Sequence, residues 1–94
     1  MNQIRILIVD DQAIIRYGLK SLLEIQPDLK VVGEAANGKE AIAVISSLQN
    51  NSQAPEIVLL DIRMPMMDGV ATTKQIVQKF PNVRVLISYS ESAT

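Results

Sequence analysis

The apolar and polar residues of the chain follow two alternating patterns. Four short, nearly continuous apolar runs are separated by three longer segments in which apolar residues recur every three or four positions. Continuous apolar runs are typical of strands buried on both faces of a sheet, whereas the periodic segments are typical of amphipathic helices. The pattern therefore predicts an α/β protein in which helices connect parallel strands through right-handed crossovers.

The predicted elements alternate from the first strand to the last. The strands are Ile4–Val9, Val31–Ala35, Ile57–Leu60 and Val83–Ile87, and the helices are Ala13–Ile25, Lys39–Leu48 and Gly69–Phe80. The helical apolar pattern consists of Ile14, Ile15, Leu19, Leu22 and Leu23 in the first helix and of Ala41, Ile42, Val44, Ile45 and Leu48 in the second. In the third helix, Val70, Ile76, Val77 and Phe80 are expected to face inward. Pro27 ends the first helix, because proline disfavours helical geometry in the residue before it. Polar residues 50–55 form a predicted surface loop, and a left-handed turn at Asn37-Gly38 is expected to start the second helix.

Acidic residues follow two of the predicted strands at the point where each strand ends. Asp10 and Asp11 follow the first apolar run, and Asp61 follows the third. Ligands of parallel sheets bind beside the carboxyl ends of the strands, so we expect the three carboxylates to converge if these two strands are neighbours. Negative charges so close together are unfavourable unless a cation joins them, and an oxygen-only cluster suits Mg²⁺. A single acid at a strand end is often only a helix cap, but this paired arrangement favours a functional site.

Composition narrows the functions open to this predicted fold. The 94 residues suffice for one domain, and with 48% hydrophobic and only 3% aromatic residues the core is predicted to be aliphatic. A net charge of −1 without a basic cluster argues against direct nucleic-acid binding. The chain has no cysteine and no histidine, which excludes disulfides and thiolate or imidazole metal sites. No segment is long and apolar enough to span a membrane, and the first residues lack the features of a signal peptide, so a cytoplasmic protein is expected.

Three sequence motifs resemble a known family. They are Ile-Leu-Ile-Val-Asp-Asp-Gln (6–12), Val-Gly-Glu-Ala-Ala-Asn-Gly-Lys-Glu-Ala (32–41) and Leu-Leu-Asp-Ile-Arg-Met-Pro-Met-Met-Asp-Gly (59–69). In this order and spacing they resemble the receiver domain of two-component response regulators, over most of the chain up to about Ser88. The segment Asp-Asp-Gln followed by Arg16-Tyr17-Gly18-Leu19 is similar to the NarL/LuxR subfamily of transcriptional regulators. The resemblance implies a flavodoxin-like (CheY-like) doubly wound parallel sheet with strand order 2-1-3-4-5.

The resemblance also implies roles for the acidic residues. Asp61 would be the phosphoacceptor, Asp11 would bind Mg²⁺ directly, Asp10 would bind it directly or through water, and the backbone carbonyl of Arg63 would complete the protein ligands. A carboxylate can act as the covalent nucleophile in phosphoryl transfer, where positioning and charge neutralisation supply most of the catalysis. The implied phosphoryl donor is a sensor histidine kinase. The expected protein is a signalling phosphoacceptor rather than an enzyme, with at most self-phosphorylation and slow self-dephosphorylation.

The family also uses a serine or threonine at the end of the fourth strand, whose hydroxyl binds the phosphoryl group and helps to switch conformation. Ser88 is the candidate, because it directly follows Ile87, the last residue of the predicted fourth strand. Counting along the chain from Asp61 points instead to Tyr89, so Ser90 remains an alternative.

A complete receiver of this family continues through another helix, a fifth strand and a final helix. We therefore expect residues 1–94 to form a receiver domain truncated after its fourth strand, without the lysine of the fifth strand and without a DNA-binding domain. The loss of one preorganised charge-stabilising group commonly lowers rates roughly a hundred- to thousand-fold. The fourth strand would leave an apolar edge uncovered, which predicts marginal monomer stability, a homodimer or other self-association through that strand, or a partner that supplies the missing strand.

Other functions are compatible with parts of the sequence. A truncated receiver without useful phosphorylation would act as a protein-interaction fragment. A phosphatase with an aspartate nucleophile would carry a second acid two residues after it, where this chain has Arg63. Residues 33–39 approach a phosphate-binding P-loop, but Glu40 occupies the position of the required Ser or Thr, so nucleotide binding is not expected. The methionines of residues 64–67 lack Cys or His partners, which favours packing over a soft-metal site.

Overall fold

The chain folds into alternating strands and helices in the order that its hydrophobic pattern predicts. The computed structural model describes residues 3–61 and 69–88. The elements are β1 (Ile4–Val9), α1 (Ala13–Leu23), β2 (Leu29–Ala35), α2 (Gly38–Asn50), β3 (Ile57–Asp61), α3 (Gly69–Lys79) and β4 (Arg84–Ser88). The type and order of every predicted element are confirmed, and each end lies within two residues of the predicted one. In the described ranges, no helix is long and apolar enough to cross a membrane.

The four strands form one parallel sheet in the order β2-β1-β3-β4. This order matches the first four positions of the predicted arrangement 2-1-3-4-5 and places β1 and β3 side by side. The ladder between β1 and β2 shifts register between Ile6 and Leu7, whereas the ladders of β3 with both neighbours are regular. The carboxyl ends of β1 and β3, which the acidic residues follow, therefore meet at one edge of the sheet.

One face of the sheet carries the main hydrophobic core. Leu7, Val58 and Leu60 are completely buried against α2 and α3, because alternate residues of a strand point to the same side of the sheet. The other buried members of this core are Val9 and Ala35 from the strands, Ala41 and Ile45 from α2, and Ile76, Phe80 and Val83 from α3 and the segment after it. The intervening residues Ile6 and Ile8 are also buried and point to the opposite face, where α1 contacts β1 and β2.

The helices bury less apolar surface than their sequence pattern predicts. No residue of α1 is buried, and Ile14 and Leu22 of its apolar pattern are 73% and 65% exposed. In α3 the predicted inward residues Val70 and Val77 are about half exposed. The predictions for these two valines are wrong because periodicity shows which side of a helix is apolar but not how much of that side a neighbour covers. In the described part of the chain α1 packs on two strands alone.

The start of α2 corrects a second prediction. Asn37 is extended rather than left-handed, with φ of −159°, and Gly38 is a helical residue without a positive φ. The Asn37 side chain accepts a hydrogen bond from the N–H of Glu40 at 2.8 Å, and the Glu40 carboxylate accepts one from the N–H of Ala36 at 2.9 Å. An N-cap residue adopts extended geometry so that its side chain can reach the free N–H groups of the first turn. The P-loop-like segment is thus a helix cap.

Replacing Asn37 by alanine is expected to lower the free energy of unfolding by about 1 kcal/mol, because the N–H of Glu40 loses its acceptor. Urea unfolding followed by circular dichroism measures the change. Asn51→Ala, the same substitution at the other end of α2, removes no side-chain hydrogen bond in the described structure and is the matched control. Equal destabilisation by both substitutions would contradict a specific capping role for Asn37.

Candidate functional site

Two of the three predicted acids meet at the carboxyl edge of the sheet. Val9 pairs with Leu60 in the ladder between β1 and β3, so Asp10 and Asp61, the next residues along, stand at the same level. Asp61 is the last residue of β3, and Asp10 follows β1 directly. Their carboxyl groups lie within hydrogen-bonding distance of each other. The two neighbouring parallel strands β1 and β3 therefore each place one carboxyl group at the same edge of the sheet.

Asp10 is held by three hydrogen bonds and is almost completely buried, with 4% of its surface exposed. Its N–H donates to the carbonyl of Ala35 at 3.0 Å, and its Oδ1 accepts from the N–H of Gln12 at 2.8 Å. Its own carbonyl accepts from Nη1 of Arg16 at 2.7 Å. The bond from Gln12 comes from the N–H of the N-cap residue of α1, which precedes the first turn of the helix. Asp10 is therefore not a helix cap of the usual kind, in which a side chain accepts from an N–H of the first turn.

The surroundings of Asp10 disfavour its negative charge. Burial raises the pKa of Asp10 above its ordinary value, and the hydrogen bond from the backbone of Gln12 opposes this rise. The nearby Asp61 carboxyl raises the pKa further, through hydrogen bonding and through its charge, and the charge of Asp11 adds to the effect. The fold thus concentrates negative charge at this edge without fully balancing it. Protonation of Asp10 or binding of a cation relieves the imbalance.

Asp11 stands beside this pair without completing a three-ligand cluster. Within residues 3–61 and 69–88, no three Asp, Glu, His or Cys side chains are grouped so that they could hold a metal ion. Asp11 is partly exposed and acts on Asp10 through its charge. Arg63, whose carbonyl is a predicted ligand, lies outside the described residues. The donors that do meet are carboxylate oxygens in a site of excess negative charge, and this chemistry fits a hard cation such as Mg²⁺.

The fourth strand brings the predicted switch residue to the same edge. In the ladder between β3 and β4, Asp61 pairs with Ser88, so the backbones of these two residues are adjacent. This register sets the backbone of Ser88 directly beside that of Asp61. Tyr89 and Ser90, like the methionine-containing loop at 64–67, lie outside the described residues.

Sequence reasoning missed one residue that contacts the site. Arg16 donates to the Asp10 carbonyl and also forms an ion pair with Glu34 of β2, with Nε 3.1 Å from Oε1. It is the fourth residue of α1. A cation one turn into a helix that begins directly after two acids must lie close to them, and this spacing is the signal that could have identified it.

Known proteins share this sequence and fold. The sequence profile of the response regulator receiver domain matches residues 6–93. A protein-glutamate methylesterase/protein-glutamine glutaminase of Methanospirillum hungatei is 46% identical over 85 residues, which cover 90% of this chain and 23% of that protein. The transcriptional regulatory protein LnrK of Bacillus subtilis is 45% identical over 92 residues, which cover 96% of this chain and 40% of that protein. The chain therefore spans less than half the length of either relative.

A solved structure agrees with the sequence comparison. The signal receiver domain of the response regulator NarL from Mycobacterium tuberculosis superposes with a TM-score of 0.82, at 29% identity, over 98% of this chain and 70% of that chain. The parallel sheet and its strand order confirm the flavodoxin-like (CheY-like) fold. Because the profile match, the relatives and the structural likeness all concern the same domain, the chain belongs to the response regulator receiver domain family, and its relatives include transcriptional regulators of the NarL/LuxR type.

Proposed function

We propose that this chain is the phosphoacceptor of a two-component phosphorelay and that Asp61 takes a phosphoryl group from a sensor histidine kinase in the presence of Mg²⁺. The observation that carries the proposal is the contact between Asp61 and the buried Asp10 at the carboxyl edge of the sheet. A receiver domain gives this pair a direct use, because a carboxylate can act as the nucleophile while its neighbours hold a cation.

Asp61 would act as the nucleophile of the transfer. One of its ionised carboxylate oxygens attacks the phosphorus atom, and the new oxygen–phosphorus bond forms as the bond from phosphorus to the donor nitrogen breaks. The donor nitrogen keeps the electron pair of the broken bond. The ionised carboxylate of Asp61 is the attacking form. A cation held at Asp10 would stabilise the ionised form of the Asp10 carboxylate.

Asp10, Asp11 and Asp61 are the residues that would hold Mg²⁺, together with the backbone carbonyl of Arg63. When bound, the ion neutralises negative charge on the carboxylates and on the phosphoryl group. The raised pKa of Asp10 supports this assignment, because burial and the neighbouring acids Asp61 and Asp11 both disfavour its negative charge. Ser88 is the proposed hydroxyl partner of the phosphoryl group, supported by the pairing of its backbone with Asp61. Ser90 is the alternative.

The relatives suggest the output of the signal. LnrK is a transcriptional regulatory protein, and we infer that phosphorylation of Asp61 regulates transcription in the cytoplasm through an output domain. A second function, protein interaction without phosphorylation, is favoured by the exposed apolar residues of α1 and β4, among them Ile14, Leu22 and Leu86. Self-association through β4 belongs to that second function. One experiment on the assembled site separates the two.

The experiment is a titration of the purified chain with beryllofluoride, a mimic of the phosphoryl group on a carboxylate, followed by backbone NMR. We expect shifts of the amides around Asp10, Asp61 and Ser88 only when Mg²⁺ is also present. Asp61→Asn is expected to abolish these shifts, because the neutral amide cannot bind beryllofluoride as the carboxylate does. Asp28→Asn, which removes one acid before β2 at the other end of the sheet, is expected to leave them unchanged. A folded chain that gives no response would contradict the phosphoacceptor proposal and support the interaction fragment.

A further inference from the structure

The side chain of Arg16 connects three elements beside the acidic pair. From the first turns of α1 its Nη1 donates to the carbonyl of Asp10, at the end of β1, at 2.7 Å. Its Nε donates to Oε1 of Glu34, in β2, at 3.1 Å. The Arg16 side chain is only 18% exposed, whereas that of Glu34 is 36% exposed, so the contact with the Asp10 carbonyl is the better shielded from water of the two. Holding the long Arg16 side chain in one conformation costs conformational entropy. Both contacts form in that same conformation and offset the cost.

The oxygen that Arg16 contacts belongs to the peptide group between Asp10 and Asp11. A peptide group is planar, so a bond that fixes its carbonyl oxygen also fixes the direction in which the chain continues to Asp11. The N–H of Asp10 is fixed by Ala35, and its Oδ1 is fixed by Gln12. Arg16 therefore supplies the remaining constraint on the backbone that joins the two acids.

A second arginine makes the same kinds of contact at the opposite end of the sheet. Nε of Arg5 donates to the carbonyl of Ala54 at 2.6 Å, and its Nη1 lies 3.5 Å from Oε1 of Glu56. Arg5 ties the beginning of β1 to the segment before β3, away from Asp10. Both arginines can support the fold in this way, but only Arg16 is bonded to a residue of the acidic pair. Arg5 therefore provides the comparison that separates a structural role from a role at the site.

We propose that Arg16 is a positioning residue for the cation site, which presets the peptide between Asp10 and Asp11 so that both carboxylates can bind Mg²⁺ without rearrangement of the backbone. The inference rests on the proposed function, because it requires that these acids bind the ion. Arg16 does not touch the reacting atoms and acts through the Asp10 carbonyl. Removing a residue that supports a metal ligand typically lowers metal affinity 10- to 100-fold, and for one acting through the backbone we expect roughly tenfold.

Calorimetric titration with Mg²⁺ tests this role in the wild-type chain, in Arg16→Gln and in Arg5→Gln. We expect Arg16→Gln to raise the dissociation constant roughly tenfold and Arg5→Gln to leave it unchanged. In the metal-free chain, the NMR shift of the Asp10 carbonyl carbon should change in Arg16→Gln only. Arg16→Lys keeps one charged donor and should restore part of the affinity, and it replaces the glutamine variant if that variant fails to fold.

The outcomes distinguish this inference from the function on which it rests. Unchanged Mg²⁺ affinity in Arg16→Gln, or an equal loss in Arg16→Gln and Arg5→Gln, would overturn the positioning role while leaving the phosphoacceptor intact. A wild-type chain that binds no Mg²⁺ and gives no beryllofluoride response that depends on Asp61 would overturn the proposed function, and the role of Arg16 with it.

Discussion

Replacing Leu60 by alanine is expected to lower the free energy of unfolding by about 3–4 kcal/mol. Leu60 is completely buried in β3, where it pairs with Val9 on one side and Ile87 on the other. Alanine removes the burial of most of the side chain and leaves a cavity that the core against α2 and α3 can fill only in part. Small domains are typically stable by only about 5–15 kcal/mol, so we expect a large decrease in the urea midpoint measured by circular dichroism.

Leu59→Ala is the matched control, because Leu59 is the same residue type in the adjacent position of the same strand. It points to the face on which α1 lies and is only partly buried. Its truncation is expected to cost about 1–2 kcal/mol. If Leu59→Ala cost as much as Leu60→Ala, the face of α1 would be covered in solution by another molecule. Sedimentation of the wild-type chain would then show self-association.

The fold could be predicted from the sequence because its strands are unambiguous. Runs such as residues 6–9 of β1 are apolar at successive positions, and only a strand buried on both faces makes use of both sets of side chains. The alternation with periodic segments then leaves few possible topologies, since crossovers between parallel strands are right-handed. The strand order was expected from the family resemblance, and the structure confirms it.

The packing of the helices could not be predicted in the same way. In α3 the buried residues include Gly69 and Thr72 together with Ile76, whereas Val70 and Val77 remain about half exposed. A hydroxyl and a glycine pack inward here because they lie on the stripe that faces the sheet, and the valines lie beside that stripe. Hydrophobicity alone predicts that the two valines are more buried than Gly69 and Thr72. It fails because it contains no information about which side of the helix faces the sheet.

The sequence predicts where the acids of the site lie, but not which residues hold them in place. Asp10 and Asp61 follow apolar strands, and the topology alone brings such positions together. The spacing of Arg16 from the acids indicates that the two lie close together, but the bond to the Asp10 carbonyl depends on the path of a flexible side chain, which the spacing does not specify. The position of Asp11 depends in the same way on local backbone geometry, and in the described structure Asp11 influences Asp10 through charge rather than as a member of a ligand cluster.

Replacing Asp10 by asparagine is expected to stabilise the metal-free chain at neutral pH by about 1 kcal/mol, a usual gain from relieving unfavourable charge. The pKa of Asp10 is raised by burial and by the neighbouring acids, so the folded state favours its protonated form. This contribution to stability is complete below the ordinary aspartate pKa and is lost as the pH rises through the raised value. The difference between Asp10→Asn and the wild type should therefore vanish at acidic pH and appear as the pH increases. Asparagine retains an acceptor for the N–H of Gln12.

Magnesium should reverse this order of stability. An ion at 100 times its dissociation constant stabilises the folded state by about 2.7 kcal/mol, and the wild-type chain gains this increment while Asp10→Asn, which lacks one proposed ligand, gains little. At neutral pH the wild type would then be the more stable protein by roughly 1–2 kcal/mol in saturating Mg²⁺. Urea unfolding with and without Mg²⁺ measures both signs. Asp28→Asn, an exposed acid at the other end of the sheet, should change neither. If Asp10→Asn were less stable than the wild type without Mg²⁺, the Asp10 carboxylate would stabilise the metal-free fold. That result would contradict a cation site, because a cation-binding carboxylate buried beside other acids is expected to destabilise the fold when no ion is bound.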